Sequence, residues 1–203
     1  MGRDNYLVFT ALLVFSFSLF NLASTYNLII NFGSAVTGFA TDSGVVNLTV
    51  GSVVSINFTN ASVNFGSGEV NSSATFATIN TLGSVVNGTW APETLKFLII
   101  NLGNENATLN FSSGKNASNF LGGNISVASY QYNVSNVETG ACVPPAGFSL
   151  GTFYEVNTTP VSREICADFL PGKNITIDIK LVIPDNSNLG ILTDTVTITY
   201  EAS

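Results

Sequence analysis

An all-β fold behind an apolar N-terminal helix is what this sequence predicts, and three observations carry the prediction. Short runs from residue 45 onward alternate apolar and polar side chains, and Gly, Asn and Pro turns separate them. No segment after residue 45 sustains a helical period. Residues Tyr6 to Leu22 carry no charge, and none returns between Asp4 and Asp42. The chain therefore divides into a hydrophobic helix over 1–27, a linker or stalk over 28–44, and an extracellular β-sandwich domain over 45–203.

The N-terminal run is 17 residues long, at the short end of what spans a bilayer as a helix. Arg3 and the amino terminus are the only positive charges before Lys96, so the bias of positive residues toward the cytoplasm places the N-terminus inside and the remainder outside. A signal peptide and a single-pass anchor are both open. Cleavage would use a small-x-small site such as Gly38-Phe39-Ala40, whereas an uncut segment would leave the domain on a stalk.

The strands follow in order. Val46, Leu48 and Val50 alternate with polar residues, as do Val54, Ile56 and Phe58, and then Ala107, Leu109 and Phe111. Leu95 to Ile100 is apolar on both faces, which suits a central strand, and Leu102 to Asn106 supplies a turn. In Ile125 to Val134 the apolar phase shifts between Val127 and Tyr130, the mark of a bulge or bend. The clearest strand is Asn174 to Pro184, with Ile175, Ile177, Ile179, Leu181 and Ile183 on the buried face and Thr176, Asp178, Lys180 and Val182 on the wet one. After a turn with Asn186, Asn188 and Gly190, Val196, Ile198 and Tyr200 repeat the pattern. Eight or so such strands point to an immunoglobulin-like or jelly-roll β-sandwich.

Composition agrees with export. Only 9% of the 203 residues are charged while 45% are apolar, so the chain can fold, yet its surface is polar without being ionic. Six basic against 13 acidic residues give a net charge of −7, and without a basic cluster nucleic acid is not an expected partner. Cys142 and Cys166 are the only cysteines. In an oxidising compartment they form one disulfide, which would stabilise the fold by roughly 3 to 4 kcal/mol. N-x-S/T acceptor sequences begin at Asn47, Asn57, Asn60, Asn71, Asn87, Asn106, Asn110, Asn116, Asn124, Asn133, Asn157 and Asn174. Random placement of the 24 Asn and 43 Ser plus Thr gives about five. Part of the excess is the polar-x-polar spelling of an outward strand face. The remainder is open to glycosylation in a host that has the machinery, and sugar there would supply the solubility that charge does not.

Catalysis has little support. The chain has no histidine, which removes His-based acid/base chemistry, the Ser-His-Asp triad and the usual zinc shells. Glu69, Glu93, Glu105, Glu138, Glu155 and Glu164 are scattered singly rather than paired for glycoside hydrolysis. The Asp185 to Asp194 loop lacks the acidic spacing of an EF-hand. The sequence thus argues against an enzyme and implies no cofactor, metal or small-molecule substrate.

The stretches Val63-Asn64-Phe65-Gly66-Ser67-Gly68, Leu95 to Asn104, Leu170-Pro171-Gly172-Lys173 and Ile183-Pro184 resemble those of exported β-sandwich proteins of prokaryotic surfaces, TasA-like fibre proteins and archaeal surface proteins among them. The start, Met1-Gly2-Arg3 before an uncharged run, resembles archaeal type IV pilins, although Gly33 and Gly38 would weaken a long helix. The resemblance implies a cell-surface structural protein, a pilin-like filament subunit or a membrane-anchored envelope module. It also implies self-assembly, in which Val45 to Val50 could be donated to a neighbour's sheet edge, the alternative being that this segment pairs within its own domain. The alternative is an extracellular adhesive or glycan-binding module whose aromatic patch would be Trp90, Tyr130, Tyr132 and Tyr154.

Overall fold

The computed structural model describes residues 10–24 and 52–203, which fall in two separate units, Met1–Thr49 and Val50–Ser203. In the first unit, residues 10–24 form helix α1. Its apolar side chains are exposed, Phe20 at 72% and Phe17 at 71%. Two of its polar ones turn back on the helix: Ser16 Oγ donates to the Leu12 carbonyl at 2.8 Å and Asn21 Nδ2 to that of Phe17 at 3.1 Å. Such back-bonding hides polar groups from an apolar surrounding. No helix among the described residues is long and apolar enough to cross a membrane. The stalk, the Gly38-Phe39-Ala40 site, the Val45 to Val50 segment and Asn47 lie outside the described residues.

Among the described residues the second unit holds eleven strands and one short helix. The strands are β1 Ile56–Asn60, β2 Phe76–Asn80, β3 Val85–Val86, β4 Phe97–Asn101, β5 Ala107–Ser113, β6 Ser129–Asn136, β7 Cys142–Val143, β8 Tyr154–Glu155, β9 Arg163–Phe169, β10 Asn174–Pro184 and β11 Val196–Ala202. Helix α2, Ala117–Leu121, is capped by Asn116, whose side chain accepts the Asn119 N–H. All ladders are antiparallel. One sheet is built on β10 and the other runs β11-β5-β9-β7. The two share a single apolar core, in which Phe111 of β5 stacks on Tyr132 of β6 with ring centroids 4.2 Å apart.

The long alternation of β10 makes the first sheet, because this strand carries three partners. Along one side it pairs with β6 from Ile175 to Val182. Along the other, Asn174 to Ile177 pair with β4 and Lys180 to Pro184 with β2. The sheet forks between them, and Thr81 closes the gap. Its N–H donates to the Ile179 carbonyl at 3.0 Å, and its Oγ1 accepts the Ile179 N–H at 3.0 Å while donating to Asp178 Oδ1 at 2.9 Å. Lys96 adds an ion pair to Asp178 at 3.3 Å. Asp178, expected on a wet face, is therefore 1% exposed, because the fork buries the outer side of β10 at that residue.

Two other expectations need correction. Ile125 to Val134 is not one bent strand: the Asn124 carbonyl accepts the N–H groups of Val127 and Ala128, forming a turn, and β6 begins only at Ser129. Leu95 is 60% exposed and precedes β4. That strand does lie between β1 and β10. The turn after it hangs on Asn101, fully buried, whose Nδ2 donates to the carbonyls of Glu105 and of Phe169 in the other sheet, both at 2.9 Å.

Candidate assembly surface

The two sheets do not close evenly around their core. One strand in from the edge, Phe97 and Ile99 of β4 and Leu109 and Phe111 of β5 are buried. On the edge strands beside them, the same inward pattern is only half covered. Ile56 and Phe58 of β1 and Val196 and Ile198 of β11 are half-buried, and Tyr200 is 46% exposed. A cleft lined by Phe58, Val63, Phe97, Asp194 and Val196 opens between the end of β1 and the start of β11. Phe58 meets Phe97 edge-on at its floor, with centroids 5.9 Å apart. Apolar side chains on an inner face that lacks cover are a standing opportunity for burial against another surface.

The β11 approach adds to this. Leu189 and Ile191 are 97% and 95% exposed in a loop held at both bases. Asn188 N donates to the Leu121 carbonyl at 2.7 Å, and Gly114 N to that of Thr195 at 2.9 Å. Close packing of Asn188 on Gly122, where a Cβ would come within 2.5 Å of its amide, fixes the first base. At the second, Ser113 Oγ donates to the Asp194 carboxylate and Lys115 Nζ to the Thr193 carbonyl at 2.6 Å.

On the opposite edge, Cys142 of β7 and Cys166 of β9 form the expected disulfide, with Cα atoms 5.6 Å apart. The sequence-expected acceptor asparagines divide by environment. Asn57, Asn71, Asn87, Asn116 and Asn124 are exposed. Asn60, Asn106 and Asn174 instead spend their amide nitrogens on the Lys96 carbonyl, Asp168 and Glu138. Asn133 is 5% exposed, and Asn110 and Asn157 are half-buried. The two Glu138 bonds from Asn174, side chain and backbone, hold its carboxyl below the ordinary carboxylate range.

The aromatic patch expected of an adhesive module does not form. Tyr130 and Tyr132 face inward from β6 at 4% and 0% exposure, and Trp90 is half-buried against the core. Tyr154 lies beneath Arg163, whose Cζ sits 4.1 Å from its ring centroid, and stacks on Phe148. Burial pushes the Tyr132 phenol up to about 12 and raises Tyr130 as well, Asp194 adding to it. The Tyr132 hydroxyl has no hydrogen-bond partner among the described residues. Among the described residues, no three His, Cys, Asp or Glu side chains converge on a point where a metal ion could sit.

The chain matches no family model, no curated protein and no solved structure. Among the described residues the domain combines half-covered apolar inner faces, a β11 edge without a strand partner and a chain with little charge. Sequence reasoning located β1 and β11 but not their shared openness, since alternation reports which residues face inward and not how many neighbours cover them.

Proposed function

We propose that this chain is an exported structural protein of the cell surface, a filament subunit or membrane-anchored envelope module whose β-sandwich domain works by assembling with its neighbours. The half-covered inner faces of β1 and β11 carry the reading. They make sense for a domain whose core is completed by contact. The Cys142–Cys166 disulfide fits an oxidising compartment outside the cytosol, and the uncharged apolar helix α1 fits a chain delivered through or to a membrane. The sparse charge suits close packing of like subunits, which highly charged surfaces would oppose.

Immunogold labelling with negative-stain microscopy of the native host tests this. The expected result is label on filaments or a continuous surface layer. Label confined to the cell interior, or a secreted monomer that binds one glycan on an array, would replace the proposal with another.

A further inference from the structure

We infer that β11 is the strand through which two copies of this chain pair, edge to edge and antiparallel, so that their four-stranded sheets join into one. The inference rests on the assembly reading above and names its partner as a second copy.

A free strand edge presents unpaired N–H and C=O groups, and proteins that must stay apart guard it with brevity, bulges, proline or lysine. The other edges of this domain have such guards. β3, β7 and β8 are two residues long, and β1 has a register irregularity between Phe58 and Asn60. β11 has none of them. Its seven residues pair with β5 in unbroken register from Val196 to Ala202, it contains no Pro or Lys, and its outer edge has no strand partner among the described residues.

The strand is also complementary to itself. An antiparallel pair about a two-fold axis at Ile198 sets Val196 opposite Tyr200 and Thr197 opposite Thr199, each twice. Inner faces then meet inner faces, and β-branched and aromatic side chains line up across the seam. Glu201 falls opposite Thr195 of the other copy, whose carbonyl is bound by Gly114 N beside Lys115, so a carboxylate arrives near an ammonium. The Asp194 carboxylate beside it accepts the Ser113 hydroxyl but keeps its charge, so in this register Lys115 offsets two carboxylates. An axis at Thr199 would place Glu201 opposite Thr197, farther from Lys115.

Seven paired residues bury less than the roughly 1,000 Å² of a stable interface. Coverage of Val196, Ile198 and Tyr200 on both copies adds apolar area, and the contact should strengthen when copies are concentrated on a surface.

The test uses the full chain in detergent micelles, with mass from light scattering and amide hydrogen exchange read strand by strand. We expect twice the 21.3 kDa chain mass, with β11 amides protected in the dimer. The T197K/T199K variant sets lysines against each other across the seam while changing side chains on the outer face. It should halve the mass and lose β11 protection without lowering the melting temperature. For register, T197C/T199C should crosslink between copies while T199C alone should not. A monomeric wild type, a T197K/T199K variant that stays dimeric, or β11 amides protected within a monomer because the chain's own segment covers them would each overturn the pairing. Surface labelling of the monomeric variant would show that the location reading stands apart from this one.

Discussion

Replacing Thr81 by valine should destabilise the domain by about 2 to 4 kcal/mol, and the fork of the first sheet sets that magnitude. Valine keeps the shape of threonine but removes the hydroxyl. Two bonds go with it, one from the Ile179 N–H at 3.0 Å and one to Asp178 Oδ1 at 2.9 Å. Both Thr81 and Asp178 are 1% exposed, so the Ile179 N–H would be left buried without a partner, at a cost of about 1 to 3 kcal/mol. The lost bond to a charged acceptor adds roughly 1 kcal/mol more, since Asp178 keeps Lys96 at 3.3 Å. The Lys96 side chain is 35% exposed, and solvent weakens that compensation. For a domain of this size 1 kcal/mol moves the melting temperature by about 2 to 4 °C. Urea and thermal unfolding of T81V should therefore show a fall of about 4 to 16 °C. T78V, the same chemical change on the neighbouring strand without these two bonds, should stay within about 0.5 kcal/mol of wild type. A T81V domain as stable as T78V would refute the view that Thr81 holds the fork together.

Replacing Cys142 and Cys166, separated by 24 residues, with alanine should cost about 3.4 kcal/mol by the loop-entropy relation. An oxidised wild type that melts with the alanine variant would show the bond to be idle. Tyr132→Phe removes a buried hydroxyl without a partner among the described residues and should leave stability at pH 8 unchanged or higher. The folded Tyr132 pKa is raised to about 12, so its contribution is full below the unfolded value near 10 and is lost as pH rises through the folded one. Wild type should thus lose about 1.4 kcal/mol relative to the Phe variant by pH 11, and parallel pH profiles in urea titrations would contradict that. In a host that glycosylates N-x-S/T sequences, peptide mapping should find sugar at Asn57, Asn71, Asn87, Asn116 and Asn124. Occupancy instead at buried Asn133 or bonded Asn60, Asn106 and Asn174 would mean that modification precedes folding.

What the sequence disclosed and what it withheld divide along physical lines. The bounds of β10 were legible because five inward aliphatic residues alternate without interruption from Asn174 to Pro184. β5 and β11 share that clarity. β3, β7 and β8 are two-residue strands held in place by their partners, so no local period marks them. β9 hides behind Arg163, Glu164 and Asp168 and behind two register shifts against β5. The disulfide was readable from count alone, whereas the aromatic patch failed because Tyr130 and Tyr132 are core residues of β6. Asp178 looked solvated because a charge on an alternating strand ordinarily is, and only the meeting of β2 and β4 on one side of β10 buries it. The open side was illegible for a related reason. An edge is a property of pairing, and the residues of β11 resemble those of the interior strand beside it.

The claim on which the rest depends is that the sandwich domain stands outside the cell with its β11 side open to neighbours. A single cysteine at Leu189, 97% exposed at the tip of the loop before β11, tests it directly in the native host. A membrane-impermeant maleimide should label L189C fully on intact cells while Cys142 and Cys166 stay oxidised and unlabelled. Label that appears only after lysis, with all three thiols reactive, would contradict the account.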